Sequence, residues 1–260
     1  MPTFETITVE KRGSVAILTI NRPDKLNTLN KQVHEEAVSA LNELRLDESI
    51  RVLVITGAGE KSFVAGADIS EFQGQTPVTQ RTAFHEKTLF NSIDAFPKPV
   101  IAMVNGFCLG GGNELALACD LRMASESARF SQPEINLGIM PGGGGTQTLP
   151  RAVGERRAKE LILTGKPFTA TEAHAWGLVN EVFPLSELMP AALATASRIA
   201  RNAPISVRQA KLAIHRGLQV SLRDGLALEI EAYNRMVPTE DRREGVLAFN
   251  EKRTPNFKGR

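Results

Sequence analysis

At 260 residues, 42% of them hydrophobic and 23% charged, the chain can bury a sizeable core, either as one large α/β domain or as a domain with a helical appendage. Its 31 basic and 29 acidic residues leave a net charge of +2, which excludes a broad electrostatic footprint on nucleic acid but leaves room for a local basic patch facing a small polyanion. The opening MPTFETITVEKRG lacks the regions of a signal peptide, and no apolar run nears the roughly 20 residues of a membrane span, so a cytoplasmic protein with no membrane partner is expected. Cys108 and Cys119 form no CxxC, and His34, His85, His174 and His215 stand singly, so no metal site is expected.

In chain order, residues 4–10 and 14–20 flank Arg12-Gly13 and read as a β-hairpin. After the loop NRPDKLN, Leu29, Val33, Ala37, Ala40, Leu41 and Leu44 recur at helical spacing with charges between them, which predicts an amphipathic helix. Residues 51–56 read as a strand buried on both faces, turned by Gly57 and Gly59 into FVAGADISEF. There Asp68 and Glu71 have the spacing of an N-cap with a capping box, so a helix is expected just after Ala67. Residues 73–80 read as a mobile segment able to act as a lid, and 81–95 as a helix carrying Phe84, Leu89, Phe90 and Ile93, stopped by Phe96-Pro97-Lys98-Pro99.

The most informative stretch is PVIAMVNGFCLGGGNELALACD, residues 99–120. The apolar run Val100 to Val104 reads as a buried strand ending at Asn105-Gly106. A glycine-rich turn follows, and then a short helix carrying Glu114. Gly110, Gly111 and Gly112 have no side chains to shield the amides that a helix leaves unpaired in its first turn, so the turn can receive a ligand oxygen. The competing reading is a plain tight turn, with Glu114 merely favoured near the positive end of a helix dipole. A short strand at Leu121 to Ala124 leads to FSQPEINLG, where Glu134 follows Pro133 in an extended or turning segment, and PGGGGTQ at 141–147 reads as a turn and pocket wall. Helices are expected at 155–163 and before Gly177, then a strand, with Trp176 packing. Beyond Leu185 the pattern is helical, broken near Pro204 and Pro238, with an apolar row at Leu222, Leu226, Ile230 and Tyr233. A last charged helix surrounds Val246, Leu247 and Phe249, and NFKGR reads as a solvated tail or a contact.

Alternating strands and helices favour a largely parallel sheet with ligands at the carboxyl ends of its strands. Ala67 and Gly111 both lie just past such ends, so their N–H groups can converge on one oxygen as an oxyanion hole. With Glu114 and Glu134 nearby in sequence, the arrangement points to acid–base chemistry. Other glycine-loop readings fail: Gly165-Lys166 is followed by Pro167, the glycines at 106–112 do not make GxGxxG, and GxSxG is absent.

FVAGADI, PVIAMVNGFCLGGGNELALACD, FSQPEINLG with PGGGGTQ, and EDRREGVLAFNEKR, together with NRPDKLNTLN and GLVNEVFP, resemble the enoyl-CoA hydratases of the crotonase superfamily over nearly the whole chain. The resemblance implies an α/β fold in which a spiral of ββα units, residues 1–195, carries the CoA-thioester site. Residues 196–260 would be helices that join a homotrimer or a homohexamer. It also implies that the N–H groups of Ala67 and Gly111 bind the thioester carbonyl and that Glu114 and Glu134 are the catalytic carboxylates. Ala65, Asp68 and Ile69 would line the CoA groove mainly through backbone, and Lys25 and Leu26 would cover the nucleotide. The implied reaction is reversible syn addition of water to a 2-trans-enoyl-CoA, needing no cofactor beyond the CoA of the substrate. An isomerase using one acid, a 3-hydroxyacyl-CoA dehydratase and a noncatalytic RNA binder are the rival readings. Asn113 departs from several mitochondrial members, which carry Cys there, and resembles bacterial and archaeal relatives.

Overall fold

The computed structural model describes residues 4–85 and 88–260. β1 (Ile7–Arg12) and β2 (Val15–Ile20) form the expected antiparallel hairpin, turned at Gly13 with a φ of 58°. α1 (Lys31–Leu46) begins at Asn30, whose side chain accepts the Val33 N–H, and it buries the apolar row from Val33 to Leu44.

Two strands and a helical segment then recur three times. β3 (Val52–Gly57) and β4 (Ser62–Val64) precede α2 (Pro77–His85) and α3 (Leu89–Asp94); β5 (Val100–Val104) and β6 (Phe107–Leu109) precede α4 (Gly111–Ala118); β7 (Leu121–Ser125) and β8 (Arg129–Ser131) precede α5 (Gly145–Val153) and α6 (Glu155–Thr164). β9 (Phe168–Thr169), α7 (Ala170–Ala175) and β10 (Glu181–Phe183) complete the two sheets. The first strand of each repeat joins a six-stranded sheet ordered β1-β2-β3-β5-β7-β10 and the second joins a four-stranded sheet ordered β4-β6-β8-β9. Pairings are parallel except β1 with β2 and β8 with β9.

The corners between the two sheets explain why the sequence showed one strand where the fold has two. Asn105-Gly106, expected to end the strand ahead of a glycine-rich turn, is a sharp turn from β5 into a second strand, β6, and a Cβ at Gly106 would collide with the Lys61 carbonyl. Asn105 Nδ2 donates to the carbonyls of Gly57, Gly59 and Ser62, and Asn27 Nδ2 to those of Ala58 and Ser62, so side chains satisfy backbone that no ladder reaches.

One core lies between the sheets and against α1, α3 and α4. The second lies on the other face of the six-stranded sheet, where Val15, Ile17, Val52, Val54, Ile101 and Met103 meet Leu188, Ala192, Ala196 and Ala200 of α8 (Leu185–Ala200). β3 and β5 are therefore buried on both faces, which is why they read as unbroken apolar runs. α9 (Pro204–Gly217), α10 (Leu222–Asn234) and α11 (Glu240–Asn250) complete the chain. The row Leu222, Leu226, Ile230 and Tyr233 is exposed. Among the described residues no helix is long and apolar enough to cross a membrane.

Three local expectations are corrected. Asp68 caps a short 3-10 helix (Ile69–Phe72), but Glu71 closes no capping box: its carboxylate accepts the Lys31 N–H at the start of α1 instead. The helix expected over 81–95 is two helices, because Thr88 starts α3 with its own cap and Pro77 starts α2 within the segment expected to be mobile. Residues 86 and 87 and the Phe84 side chain lie outside the described residues. The basic tail is docked rather than solvated: the buried Asp241 carboxylate accepts the N–H groups of Lys258 and Gly259, and Arg51 donates to the Phe257 carbonyl.

Candidate active site

Close packing of α4 on β4 sets the geometry. A Cβ at Gly112 would overlap the Val64 carbonyl, so only glycine lets the helix start there. Gly110 turns the chain with a φ of 49°, and Gly111 opens α4. A Cβ built on Gly111 would sit 3.4 Å from the Ala67 nitrogen, so the two turns lie against each other. Leu29 forms an isolated parallel bridge with Ala67, beyond the end of β4: its N–H donates to Gly66 O, and its carbonyl accepts from Asp68 N–H. Among the described residues neither the Ala67 nor the Gly111 N–H meets a backbone acceptor, as the first turn of a helix dictates for Gly111. The structure thus brings together the two expected donors.

Glu114 projects from α4 and is 5% exposed. Its Oε1 accepts N–H groups from Gly143 at 2.8 Å and Gly145 at 2.7 Å. Burial pushes this carboxyl up from its ordinary value, and the Gly145 and Gly143 hydrogen bonds oppose that rise by stabilising the anion. A Cβ at Gly143 would come within 2.7 Å of Glu114 Oε2 and 2.9 Å of Phe90, which is the physical reason for glycine in PGGGGTQ. That run is a wall of the site and also the lead-in to α5, a helix not anticipated from the sequence.

Glu134 opens a 3-10 helix (Glu134–Leu137) between Pro133 and Gly138. A Cβ at Gly110 would lie 3.0 Å from its Oε1, so this second acid stands against the same glycine turn. Its carboxyl is pushed up to about 7, chiefly by burial, with its own backbone N–H lowering it and the neighbouring Glu114 charge raising it further. Oε1 accepts from Gln132 Nε2 at 3.3 Å, whereas Oε2 is buried with no hydrogen-bond partner among the described residues.

The expected groove residues sit on the two loops beside Ala67. Lys25 is exposed at the end of a 3-10 helix, and Leu26 adopts a φ of 51°. The Leu26 carbonyl accepts the Ala65 N–H, so that amide is already used. Asp68 pairs with Arg22 at 3.0 Å, and its carboxyl is held below the ordinary range first by Ser70 and then by Arg22, while Ile69 is 60% exposed. The sequence reading missed Gln132 and the Gly143 and Gly145 amides; a Gln directly before Pro133, two residues from Glu134, was the available signal. Among the described residues no group of three His, Cys, Asp or Glu is placed to hold a metal ion.

Two neighbouring amides with no backbone acceptor among the described residues, beside two acids of raised pKa, form the constellation to be compared with known proteins. The family model described as Enoyl-CoA hydratase/isomerase matches residues 10–260. The chain belongs to this family. A curated relative from Clostridium acetobutylicum named short-chain-enoyl-CoA hydratase is 47% identical over 259 residues, 99% of each chain. The crotonyl-CoA hydratase of Syntrophomonas wolfei is 44% identical over 256 residues, 98% of each chain. The solved enoyl-CoA hydratase of Bacillus anthracis matches with a TM-score of 0.94 and 45% identity, covering 98% of this chain and all of that one. As a member of the hydratase/isomerase family the chain is an enzyme with the crotonase fold.

Proposed function

We propose that this enzyme hydrates 2-trans-enoyl-CoA thioesters reversibly, adding water in the syn sense to give 3-hydroxyacyl-CoA. The observation that carries the reading is the juxtaposition of both acids with the Ala67–Gly111 turn: Glu134 Oε1 lies against Gly110, and Glu114 lies on the helix that Gly111 opens. A double-bond isomerase needs one acid; two acids suit the addition of water.

The thioester carbonyl accepts the Ala67 and Gly111 N–H groups, which stabilise negative charge as it develops. Glu114, whose anion the Gly143 and Gly145 amides stabilise, takes a proton from water as the water oxygen bonds to C3. The alkene electrons move onto the carbonyl as an enolate. Glu134, whose pKa near 7 keeps a proton available at neutral pH, delivers that proton to C2 as the enolate collapses. The proton now on Glu114 leaves to solvent and Glu134 regains one, so the net change is one water. The substrate brings its own CoA, and Lys25, Leu26, Ala65, Asp68 and Ile69 border it. The names of the Clostridium and Syntrophomonas relatives support a short acyl chain. The exposed apolar rows within residues 196–260 support assembly as a homotrimer or homohexamer, and the cytoplasm is the compartment that fits such a substrate.

Crotonyl-CoA incubated with the purified enzyme should lose its conjugated-thioester absorbance and gain the mass of one water. Glu114→Gln and Glu134→Gln should each lower kcat by about two orders of magnitude or more with the fold intact by circular dichroism. Full activity in either variant removes the two-acid mechanism, and a shifted alkene without hydrated product would indicate an isomerase.

A further inference from the structure

Behind Glu134 lies a chain of two fully buried side-chain amides with a single direction of donation. Asn113, in the first turn of α4, donates from Nδ2 to Gln132 Oε1 at 2.7 Å, and Gln132 Nε2 donates to Glu134 Oε1 at 3.3 Å. Both amides are 0% exposed, and Asn113 Oδ1 has no partner among the described residues. A buried primary amide is kept in one of its two orientations by what its neighbours can offer. Were Gln132 reversed, its Oε1 would face Glu134 Oε1, oxygen against oxygen, whenever the carboxylate is ionised. Asn113 supplies the donor that disfavours this reversal.

We propose that Asn113 is a positioning residue that acts through Gln132: it keeps the Gln132 amide donating to Glu134 Oε1, so that the transferable proton resides on Oε2. The assignment to Oε2 follows from the inventory of bonds. Oε1 is occupied as an acceptor, and Oε2, buried with no hydrogen-bond partner among the described residues, is the oxygen left to carry hydrogen. The role rests on Glu134 acting as the acid of the proposed hydration, and it gives Asn113, one residue before Glu114 in the chain, a task distinct from that of Glu114.

Glu114 on α4 raises the Glu134 pKa, and the 3-10 helix packs on α6, whose Glu155, Arg156, Arg157, Lys159 and Glu160 are not among the causes of its shift. Removing the amide donation destabilises the ionised form, so the Glu134 pKa should move upward.

The test replaces Asn113 with Leu, similar in size but without a donor, and with Ala, which adds no bulk. Glu134 is followed by carbon-13 NMR of labelled glutamate carboxyls across pH, with Glu134→Gln identifying the resonance. The wild type should titrate near 7, and both variants should titrate higher by about half a unit. Under steady state kcat should fall several-fold with KM little changed, because Asn113 is assigned no contact with substrate. In a Gln132→Leu background the Asn113 substitutions should produce no further shift, since the link they act through is gone. An unchanged Glu134 titration in a folded Asn113→Ala protein, or an equal shift with and without Gln132, overturns the proposal. The NMR titration needs no turnover, so failure of the hydratase reading would show separately as an absence of product.

Discussion

At the scale of single residues, the two glutamates differ in what surrounds them rather than in type. Glu114 is the more buried but accepts two backbone N–H groups on one oxygen; Glu134 is half-buried with one weakly bonded oxygen and one unbonded oxygen, and sits near 7. That difference supports the proposed separate roles, Glu114 as base and Glu134 as acid. If Glu134 must be protonated, kcat/KM for hydration should fall by about tenfold per unit as pH rises well above 7, and a pH–rate profile reads this directly. Stability carries the same sign. A carboxyl whose folded pKa is raised holds its proton more tightly in the folded chain, so its contribution is complete below about 4.5 and is lost as pH rises through about 7. The melting temperature of Glu134→Gln should therefore vary less than that of the wild type across this window. Both acids were legible in the sequence because each sits beside a backbone punctuator, Gly110–Gly112 or Pro133. Gln132 was not read as part of the site, and Asn113 was singled out only as a departure beside Glu114 and not as a partner of Gln132, since nothing in a linear string shows which buried amides face one another.

Among the elements, α4 and the PGGGGTQ run are fixed by close approach, and their glycines divide by what a methyl would strike. At Gly112 it would meet the Val64 backbone carbonyl, which cannot move without moving β4. Gly112→Ala should cost stability on the order of 1–3 kcal/mol, measured by urea unfolding, with activity reduced alongside. At Gly143 the methyl would meet the Glu114 carboxylate and the Phe90 ring edge, side chains that can shift. Gly143→Ala should leave unfolding closer to the wild type while lowering kcat at least tenfold, because the base moves off its amides. Element types were readable where one face or both faces are apolar over several residues, as in α1, β3 and β5. They were misread where tertiary partners reassign a side chain: Glu71 has capping-box spacing yet serves α1, and β6 is too short to show periodicity next to glycine.

For the whole molecule, the exposed apolar side chains concentrate on the C-terminal helices: Leu222 is 79% exposed and Phe249 84%. Faces of this kind are covered in stable proteins, and a copy of the same chain is the occupant that the resemblance implies. Light scattering should report a trimer or hexamer, and Leu222→Glu combined with Phe249→Glu should give smaller species with native circular dichroism; a monomeric wild type would end that reading. The sequence by itself determined the class of fold, the membership of the family, and the two candidate acids with their glycine turn. The fold class and the candidate acids are written in local chemistry, in periodicity, backbone freedom and residue type at short spacing, while the family is carried by the resemblance of whole motifs. Only the tertiary structure decided the corner that splits one apolar run into two sheets, the docking of the basic tail on Asp241, and the amides that hold Glu114. These depend on contacts between residues 17 to 48 positions apart, where the partner is selected by packing and by the need to satisfy buried polar groups, which no short window of sequence contains.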